Sequence, residues 1–175
     1  TGMHGADRIG GNMLSSCLIF GVRAAESAVD WVKTHPIKCD ITQVAQEKLD
    51  ELSALSLSIG TTKPDELLRN LQQSAWNNAL TIRSKERLTT LLSDIRQLRE
   101  EYHHAISVQT PADFICALEL RNLLLVGELV ATAAMRRKES RGGHYREDYP
   151  DCNYHEPARA IILNALEDQS IQVRE

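Results

Sequence analysis

Leucine, isoleucine, valine and alanine recur at intervals of three and four residues along most of the chain, and this period predicts helices. Asn12 precedes the first periodic stretch as an N-cap, and Pro36 follows its end. A second helix is predicted over about 41–58, because Asp40 and Gln43 have the spacing of a capping box. Both segments are predicted to be amphipathic helices.

Two further helices are predicted after a break at Gly60-Thr61-Thr62. Thr62, Pro64 and Asp65 mark the restart, since a proline in the first turn leaves no helical hydrogen bond unmade. The paired asparagines Asn77-Asn78 predict an interruption, because asparagine side chains compete for backbone hydrogen bonds. The next helix is predicted to begin near Ser84.

The strongest helix start in the sequence is Thr110-Pro111-Ala112-Asp113, which combines a capping side chain, a first-turn proline and an acidic residue. The helix that follows is predicted to reach about Arg136. Its run Leu123-Leu124-Leu125-Val126 predicts that this helix is buried on several sides.

After Lys138 the helical period stops. Residues 141–150 are polar, aromatic and glycine-bearing, which predicts a loop. Short apolar runs at 160–163 and 171–173 flank the polar residues 167–170 and predict a β-hairpin. The predicted fold is mostly α: an antiparallel helical bundle with a long carboxy-terminal loop and a short β-hairpin.

Charge and composition narrow the classes of function. A net charge of -4 and a pI near 5.9 argue against a nucleic-acid partner. No apolar run approaches the roughly 20 residues that a membrane span needs, so direct membrane insertion is not expected. The cysteines form no CxxC pair, and His103-His104 near a helix end is typical of a solvated cap. No metal site is predicted.

The amino-terminal stretch from His4 to Leu14 offers the clearest chemistry. Gly10-Gly11-Asn12 lead into a helix, so unpaired backbone N–H groups and the positive end of a helix dipole meet at one point. Such a point suits a phosphate, a carboxylate or a flavin that becomes anionic on reduction. Arg8 adds a guanidinium fork suited to a carboxylate. A plain helix cap stays open as the alternative.

Three motifs, in order along the chain, resemble the flavoprotein subunits of fumarate reductase and succinate dehydrogenase. The run from His4 to Asn12, continuing through Leu18-Ile19-Phe20-Gly21, resembles the segment of that family that closes over the flavin. Leu71-Gln72-Gln73 with Trp76 and Arg83 resembles the helical bundle of the family. The residues from Glu139 to Asp148 resemble its late Glu-Ser-Arg-Gly-x-His-x-Arg-x-Asp motif.

The resemblance implies a role for individual residues. Arg8 matches the arginine that binds a carboxylate of the dicarboxylate substrate. Gly11, Asn12, Met13 and Leu14 match the turn whose backbone N–H groups stabilise negative charge on reduced FAD. No catalytic residue is implied in this chain, because the proton-donating arginine of the family lies earlier in the parent polypeptide.

The resemblance also implies a division of the chain. Residues 1–36 would end the FAD-binding domain, 37–138 would form the helical bundle, and 139–175 the loop and hairpin. No GxGxxG follows a strand, so the dinucleotide-binding part is expected elsewhere in the parent polypeptide. The chain is therefore expected to be a fragment that is inactive alone and lacks FAD.

For the intact parent, the resemblance implies hydride transfer between FAD and a small dicarboxylate, as part of electron transport. The expected partners are the missing FAD-binding and capping domains and an iron–sulfur subunit. The expected location is cytoplasmic, or peripheral at the inner face of the membrane through partner subunits. The alternatives are an L-aspartate oxidase, an adenylylsulfate-reductase type flavoprotein, and a non-enzymatic helical interaction module.

The late motif is interpreted as structural. Arginines such as Arg141 and Arg146 should bind carbonyl groups and pin the loop onto the flavin domain. His144 is the acid–base alternative, because imidazole titrates near neutrality. Trp76 is interpreted as a core or interface residue rather than a stacking platform.

Overall fold

The computed structural model describes residues 12–36, 40–152, 160–165 and 171–174. These residues form five helices: α1 (Asn12–Thr34), α2 (Ile41–Ser56), α3 (Pro64–Ala79), α4 (Lys85–Ala105) and α5 (Pro111–Arg136). They also form two separate strand pairs: β1 (Ile82–Arg83) with β2 (Tyr145–Arg146), and β3 (Ile162–Ala165) with β4 (Ile171–Arg174). The predicted mostly α fold is confirmed. None of the described helices is long and apolar enough to cross a membrane.

The chain divides into two compact units, residues 1–51 and 52–175. In the first unit, α1 exposes its apolar side chains, with Leu18 at 66% and Trp31 at 59%. No residue of α2 is buried. The predicted boundaries near residues 36 and 138 stay a prediction.

The core of the second unit lies between α3, α4 and α5, each of which packs against the other two. The connections between them are short, so successive helices run antiparallel. Gly127 allows α5 to approach α4 closely, since a Cβ there would lie 3.2 Å from Ile95 Cδ1. The buried apolar residues include Leu67, Leu71, Leu88, Leu91, Ile95, Leu98, Leu120 and Leu124.

Side-chain caps fix the starts of α4 and α5 as predicted. Ser84 Oγ accepts a hydrogen bond from Arg87 N at 3.3 Å. Thr110 Oγ1 accepts from Asp113 N at 3.1 Å, and Asp113 Oδ2 accepts from Thr110 N at 2.9 Å. The hydrogen bond with Thr110 is the main cause that lowers the pKa of the Asp113 carboxyl. Both helices therefore begin at the capping residue that the local sequence predicts.

The predicted capping box at α2 is formed on one side. Asp40 Oδ1 accepts from Thr42 N at 2.9 Å and so caps the helix. The Gln43 side chain instead donates to Glu47 Oε1 at 2.9 Å, one turn further along. Asp40 is therefore sufficient to cap α2.

Backbone hydrogen bonds form a short ladder between residues 58–62, which precede α3, and residues 105–108, at the end of α4. Gly60 N–H donates to the Ile106 carbonyl and Thr62 N–H to the Ala105 carbonyl, each at 2.9 Å. A Cβ at Gly60 would overlap the Ala105 carbonyl, so this approach requires glycine. The helix restart is confirmed at Pro64, while Thr62 takes part in the ladder.

The predicted interruption at Asn77-Asn78 is wrong, because α3 continues to Ala79. Asn77 Oδ1 accepts from Gln73 Nε2 at 3.1 Å, and Asn78 Nδ2 donates to Ser74 Oγ at 3.3 Å. Both side chains are hydrogen-bonded one turn back along the helix, so they do not compete for its backbone.

The prediction that α5 is buried on several sides is wrong for this chain. Leu124 is 2% exposed, whereas Leu125 and Val126 are 50% and 51% exposed. A continuous apolar run places side chains on every side of a helix, but only one side of α5 meets α3 and α4.

The strand pairs differ in how well sequence predicts them. The hairpin is confirmed, with β3 and β4 antiparallel and Leu163 opposite Val173; its turn, residues 167–170, lies outside the described residues. The parallel pairing of β1 with β2 was not predicted. It places Ile82 beside Tyr145 and Arg83 beside Arg146.

Candidate functional site

Of the predicted flavin- and substrate-facing residues, the structure describes Asn12, Met13 and Leu14. Arg8 and Gly11 lie outside the described residues. Asn12, Met13 and Leu14 form the first turn of α1. The side chains of Met13 and Leu14 are exposed.

The start of α1 has the electrostatics that an anionic ligand requires. First-turn N–H groups, here those of Asn12, Met13 and Leu14, have no acceptor within their own helix. No acidic side chain lies in this described turn, so none there offsets the positive end of the dipole. The residues present therefore fit a flavin ring that gains negative charge on reduction.

The late motif wraps the carboxy-terminal end of α5. Arg146 is 1% exposed, and its Nη1 donates to the carbonyl oxygens of Ala134 at 2.7 Å, Met135 at 3.3 Å and Arg137 at 3.3 Å. These carbonyls lie where a helix leaves its acceptors unpaired. A buried cation there also complements the negative end of the dipole. The predicted binding of carbonyl groups by Arg146 is confirmed.

Asp148 holds the other side of the Arg146 guanidinium. Nε donates to Oδ1 at 2.7 Å and Nη2 to Oδ2 at 2.6 Å. Asp148 Oδ2 also accepts from Lys85 N at 3.1 Å, at the first residue of α4. The hydrogen bonds from Arg146 hold the pKa of the Asp148 carboxyl below its usual value. One ion pair thus joins the end of α5 to the start of α4.

Ser140 supports this pair from the backbone side. Its Oγ accepts from Arg146 N at 2.8 Å and donates to the Tyr149 carbonyl at 2.8 Å. We refer to Ser140, His144, Arg146 and Asp148 together as the helix-end clasp.

His144 connects the clasp to β1 through both ring nitrogens. Nδ1 lies 3.1 Å from Arg83 Nη1, and Nε2 lies 3.4 Å from the Arg137 carbonyl oxygen. A guanidinium only donates and a carbonyl only accepts, so the ring is the neutral tautomer with its hydrogen on Nε2. Burial lowers the pKa of His144, and the charges of Arg83, Arg146 and Arg137 lower it further.

Glu139 binds two arginines beside the clasp. Its carboxylate accepts from Arg137 Nη1 at 2.8 Å and from Arg141 Nη2 at 3.0 Å. The hydrogen bond from Arg141 is the main cause that lowers the pKa of Glu139. Arg141 therefore contributes to an ion pair within the loop.

The interpretation that arginines pin this loop onto the flavin domain stays a prediction, whereas the described contacts show where the loop is attached within this chain. Arg146 and Asp148 attach it to the helical bundle, at α5 and α4. Sequence reasoning did not identify Arg83 and Lys85 as partners, because they lie 61 and 63 residues from the loop residues that they contact. A pattern of neighbouring residues in the sequence cannot predict contacts between residues so far apart in the chain.

The rest of the described chain offers less chemistry. No group of three or more His, Cys, Asp or Glu among these residues could hold a metal ion. A polar groove of about 190 Å³ between α3 and α4 is lined by Ser74, Asp94 and Glu101, among others, and Ser74 donates to Asp94. Its described lining residues contain no metal-ligand set.

Comparison with known proteins places the chain beside flavoproteins. Residues 68–173 match the family described as fumarate reductase flavoprotein C-term. The chain is 32% identical over 170 residues to one subunit of the fumarate reductase (CoM/CoB) of Methanothermobacter marburgensis, covering 93% of this chain and 30% of that protein. It is 34% identical over 162 residues to the L-aspartate oxidase of Acinetobacter baylyi, covering 86% of this chain and 26% of that protein.

The chain is also similar in structure to a solved protein. The Mycobacterium smegmatis Sdh1 complex contains a chain with a TM-score of 0.78 and 36% identity, over 86% of this chain and 26% of that one. This chain thus spans between a quarter and a third of the length of the relatives it matches. The family match extends over more than half of the chain and includes most of α3, all of α4 and α5, and the helix-end clasp. The chain therefore belongs to the fumarate reductase flavoprotein C-terminal family.

Proposed function

We propose that this chain is the carboxy-terminal part of an FAD-dependent oxidoreductase of the fumarate reductase and succinate dehydrogenase type. The intact parent transfers hydride between FAD and a small dicarboxylate. The family match over residues 68–173 is the observation that carries this proposal. Because the chain spans 26–30% of its curated relatives, the FAD-binding and capping domains are assigned to the remainder of the parent polypeptide.

In this proposal, the start of α1 and Arg8 contribute one wall of the site. FAD supplies the hydride chemistry when it is bound. The backbone N–H groups of Gly11, Asn12, Met13 and Leu14 stabilise the negative charge that reduction places on the flavin. Arg8 donates two charge-assisted hydrogen bonds to a substrate carboxylate and orients it. Without the dinucleotide-binding part, the isolated chain is inactive and purifies without FAD.

The second unit serves as a rigid scaffold in this proposal. The bundle core and the helix-end clasp fix the relative positions of α3, α4 and α5, and other domains of the parent pack on that surface. An iron–sulfur subunit is the proposed electron-transfer partner. The proposed location of the parent is the cytoplasm, or the inner face of the membrane, where partner subunits would hold it peripherally.

Arg8→Gln in the full-length parent tests the substrate assignment. The variant keeps length and polarity but loses the charge and the fork, so dicarboxylate turnover should fall by roughly a hundredfold or more, about 3 kcal/mol of transition-state binding. Bound FAD should stay near stoichiometric, because its contacts are assigned to the backbone of residues 11–14. Flavin absorbance and steady-state rates on one preparation measure both quantities.

Arg69→Gln is the matched control, since Arg69 is exposed and pairs with Asp65 on the surface of α3. It should change neither FAD content nor turnover. Near-normal turnover of the Arg8 variant, or a joint loss of FAD and turnover, would contradict the carboxylate assignment.

L-aspartate oxidation is the second candidate, because the Acinetobacter baylyi relative of that name is 34% identical to this chain. Both substrates are small dicarboxylates, so the same Arg8 fork serves either. Gly10-Gly11-Asn12 favours the fumarate type, since the aspartate oxidase pattern more often has Ala-Ser-Asn. Turnover of the parent on succinate, fumarate and L-aspartate separates the two candidates.

A further inference from the structure

A group of apolar side chains is exposed where α3 ends and β1 meets β2. Trp76 is 67% exposed, Leu80 50%, Ile82 46% and Tyr145 41%. Trp76 and Leu80 lie one helical turn apart, and Ile82 and Tyr145 are direct neighbours across the parallel strand pair. We name these four residues together with Arg83 the Trp76 patch.

Arg83 borders the apolar members of the patch. Its Nε donates to the Ala79 carbonyl at 2.8 Å, next to Leu80, and its Nη1 donates to the Gly143 carbonyl at 3.4 Å, close to Tyr145. These two hydrogen bonds and the one to His144 hold the guanidinium in a fixed position. It is therefore preorganised for a further partner.

Arg83 has no counter-charge within the part of the chain that the structure describes. Among the described residues, no carboxylate forms an ion pair with its guanidinium, whose hydrogen bonds go to two carbonyl groups and a neutral imidazole. Burial lowers the pKa of Arg83, and no acidic group acts in the opposite direction. By contrast, Arg137, Arg141 and Arg146 in the neighbouring loop all pair with carboxylates. A half-buried guanidinium with no counter-charge among the described residues favours a carboxylate as its further partner.

We propose that the Trp76 patch is the docking surface for another segment of the parent polypeptide, an apolar segment that carries a carboxylate to pair with Arg83. This proposal rests on the proposed function, because it requires that the chain be part of a longer flavoprotein. Trp, Tyr and Arg are the residues that dominate binding energy at interfaces. The patch contains one of each, and Leu80 and Ile82 add exposed apolar side chains.

The remainder of the parent is the occupant that the lengths favour. The chain spans 26–30% of its curated relatives, so a far larger segment is tethered to it. Tethering gives that segment a high effective concentration at the patch. A second copy fits less well, because the patch contains no carboxylate and a symmetric contact would bring two unpaired arginines into one interface.

Hydroxyl-radical footprinting of the purified full-length parent, at a concentration where light scattering shows a monomer, tests the proposal. Trp76 and Tyr145 should be oxidised several-fold more slowly than in the denatured parent, whereas the exposed His104 should be oxidised at similar rates in both. Peptide mass spectrometry resolves these residues individually.

Leu80→Glu is the diagnostic variant. It places a competing carboxylate beside Arg83 and a charge inside the apolar contact, so oxidation of Trp76 should rise several-fold. Leu57→Glu is the matched control, because Leu57 is 75% exposed and lies outside the patch. It should leave Trp76 protected.

Three outcomes would overturn the proposal. Trp76 could be oxidised as fast in the folded monomeric parent as in the denatured one. Protection could appear only at concentrations where the parent dimerises, which identifies a second copy. It could also appear only after a partner protein is added. FAD content and dicarboxylate turnover, measured on the same preparation, show separately whether the proposed function holds.

Discussion

Two hydrogen bonds fix the protonation state of His144, because Arg83 only donates to Nδ1 and the Arg137 carbonyl only accepts from Nε2. Protonation of Nδ1 would leave two hydrogen-bond donors, His144 Nδ1 and Arg83 Nη1, facing each other at 3.1 Å, and both side chains would be cations. Burial, and after it the positive charges of Arg83, Arg146 and Arg137, hold the pKa of His144 below its ordinary value of 6.5. The clasp is therefore sensitive to acid at this residue.

This sensitivity predicts how stability depends on pH. Between the folded and unfolded pKa values of His144, the unfolded state binds more protons, so the free energy of unfolding should fall as pH falls below about 6.5. The contribution of His144 to this decline in the free energy of unfolding should end once the pH lies below the pKa of His144 in the folded state. The pKa values of the Asp148 and Glu139 carboxyls are lowered, so these two groups change the free energy of unfolding only at more acidic pH. Urea unfolding at a series of pH values measures the slope.

His144→Gln should flatten that slope, because glutamine can accept from Arg83 and donate to Arg137 without titrating. The control His104→Gln alters an exposed histidine outside the clasp and shows how much of the change in slope is specific to His144. An unchanged slope in the His144 variant would show that another group titrates.

Asp148 is the second residue at which a single substitution should have a large effect. Asp148→Asn removes the charge that pairs with the buried Arg146, and breaking a buried pair costs about 3–5 kcal/mol. The Asp148 side chain is 28% exposed, so a loss of about 3 kcal/mol in the free energy of unfolding is expected. Asp65→Asn, which breaks the exposed pair with Arg69, should cost about 1 kcal/mol or less. Similar losses in the two variants would refute a special role for the clasp.

At the scale of elements, α5 offers a test with neighbouring leucines. Leu124 is 2% exposed in the core and Leu125 is 50% exposed. Leu124→Ala should therefore lower the free energy of unfolding by about 2–5 kcal/mol, through lost burial and the cavity left behind. Leu125→Ala should cost about 0.5 kcal/mol or less. Denaturant unfolding of both variants compares the two sides of one helix, and equal losses would mean that both sides are buried in solution.

Helix starts could be predicted because their causes are local. Ser84 and Thr110 cap backbone groups three residues away, and both spacings are visible in the sequence. The interruption at Asn77-Asn78 was predicted wrongly, because the propensity of asparagine for turns does not reveal hydrogen bonds to Gln73 and Ser74. The strands β1 and β2 have two residues each, too few for any period to show.

At the scale of the whole molecule, periodicity predicts that one side of a helix is apolar, but it does not predict which part of the protein covers that side. The stripe on α1 and the outer leucines of α5 follow the helical period, yet both are exposed in this chain. The candidate site depends still more on context. A glycine-led helix start is compatible with a plain cap, so Arg8 and Gly11 acquired roles only through family resemblance, and the mostly α scaffold could be predicted without it.

The helix-end clasp has a consequence for the order of folding. Lys85 and Asp148 are 63 residues apart, and both α4 and α5 lie between them. Closing so long a loop costs entropy before any contact forms, and the cost is small only once those helices have already packed. The clasp should thus close after the rate-limiting step of folding. Weakening it would accelerate unfolding and leave refolding nearly unchanged, so the lifetime of the folded chain, more than its speed of formation, depends on these few hydrogen bonds.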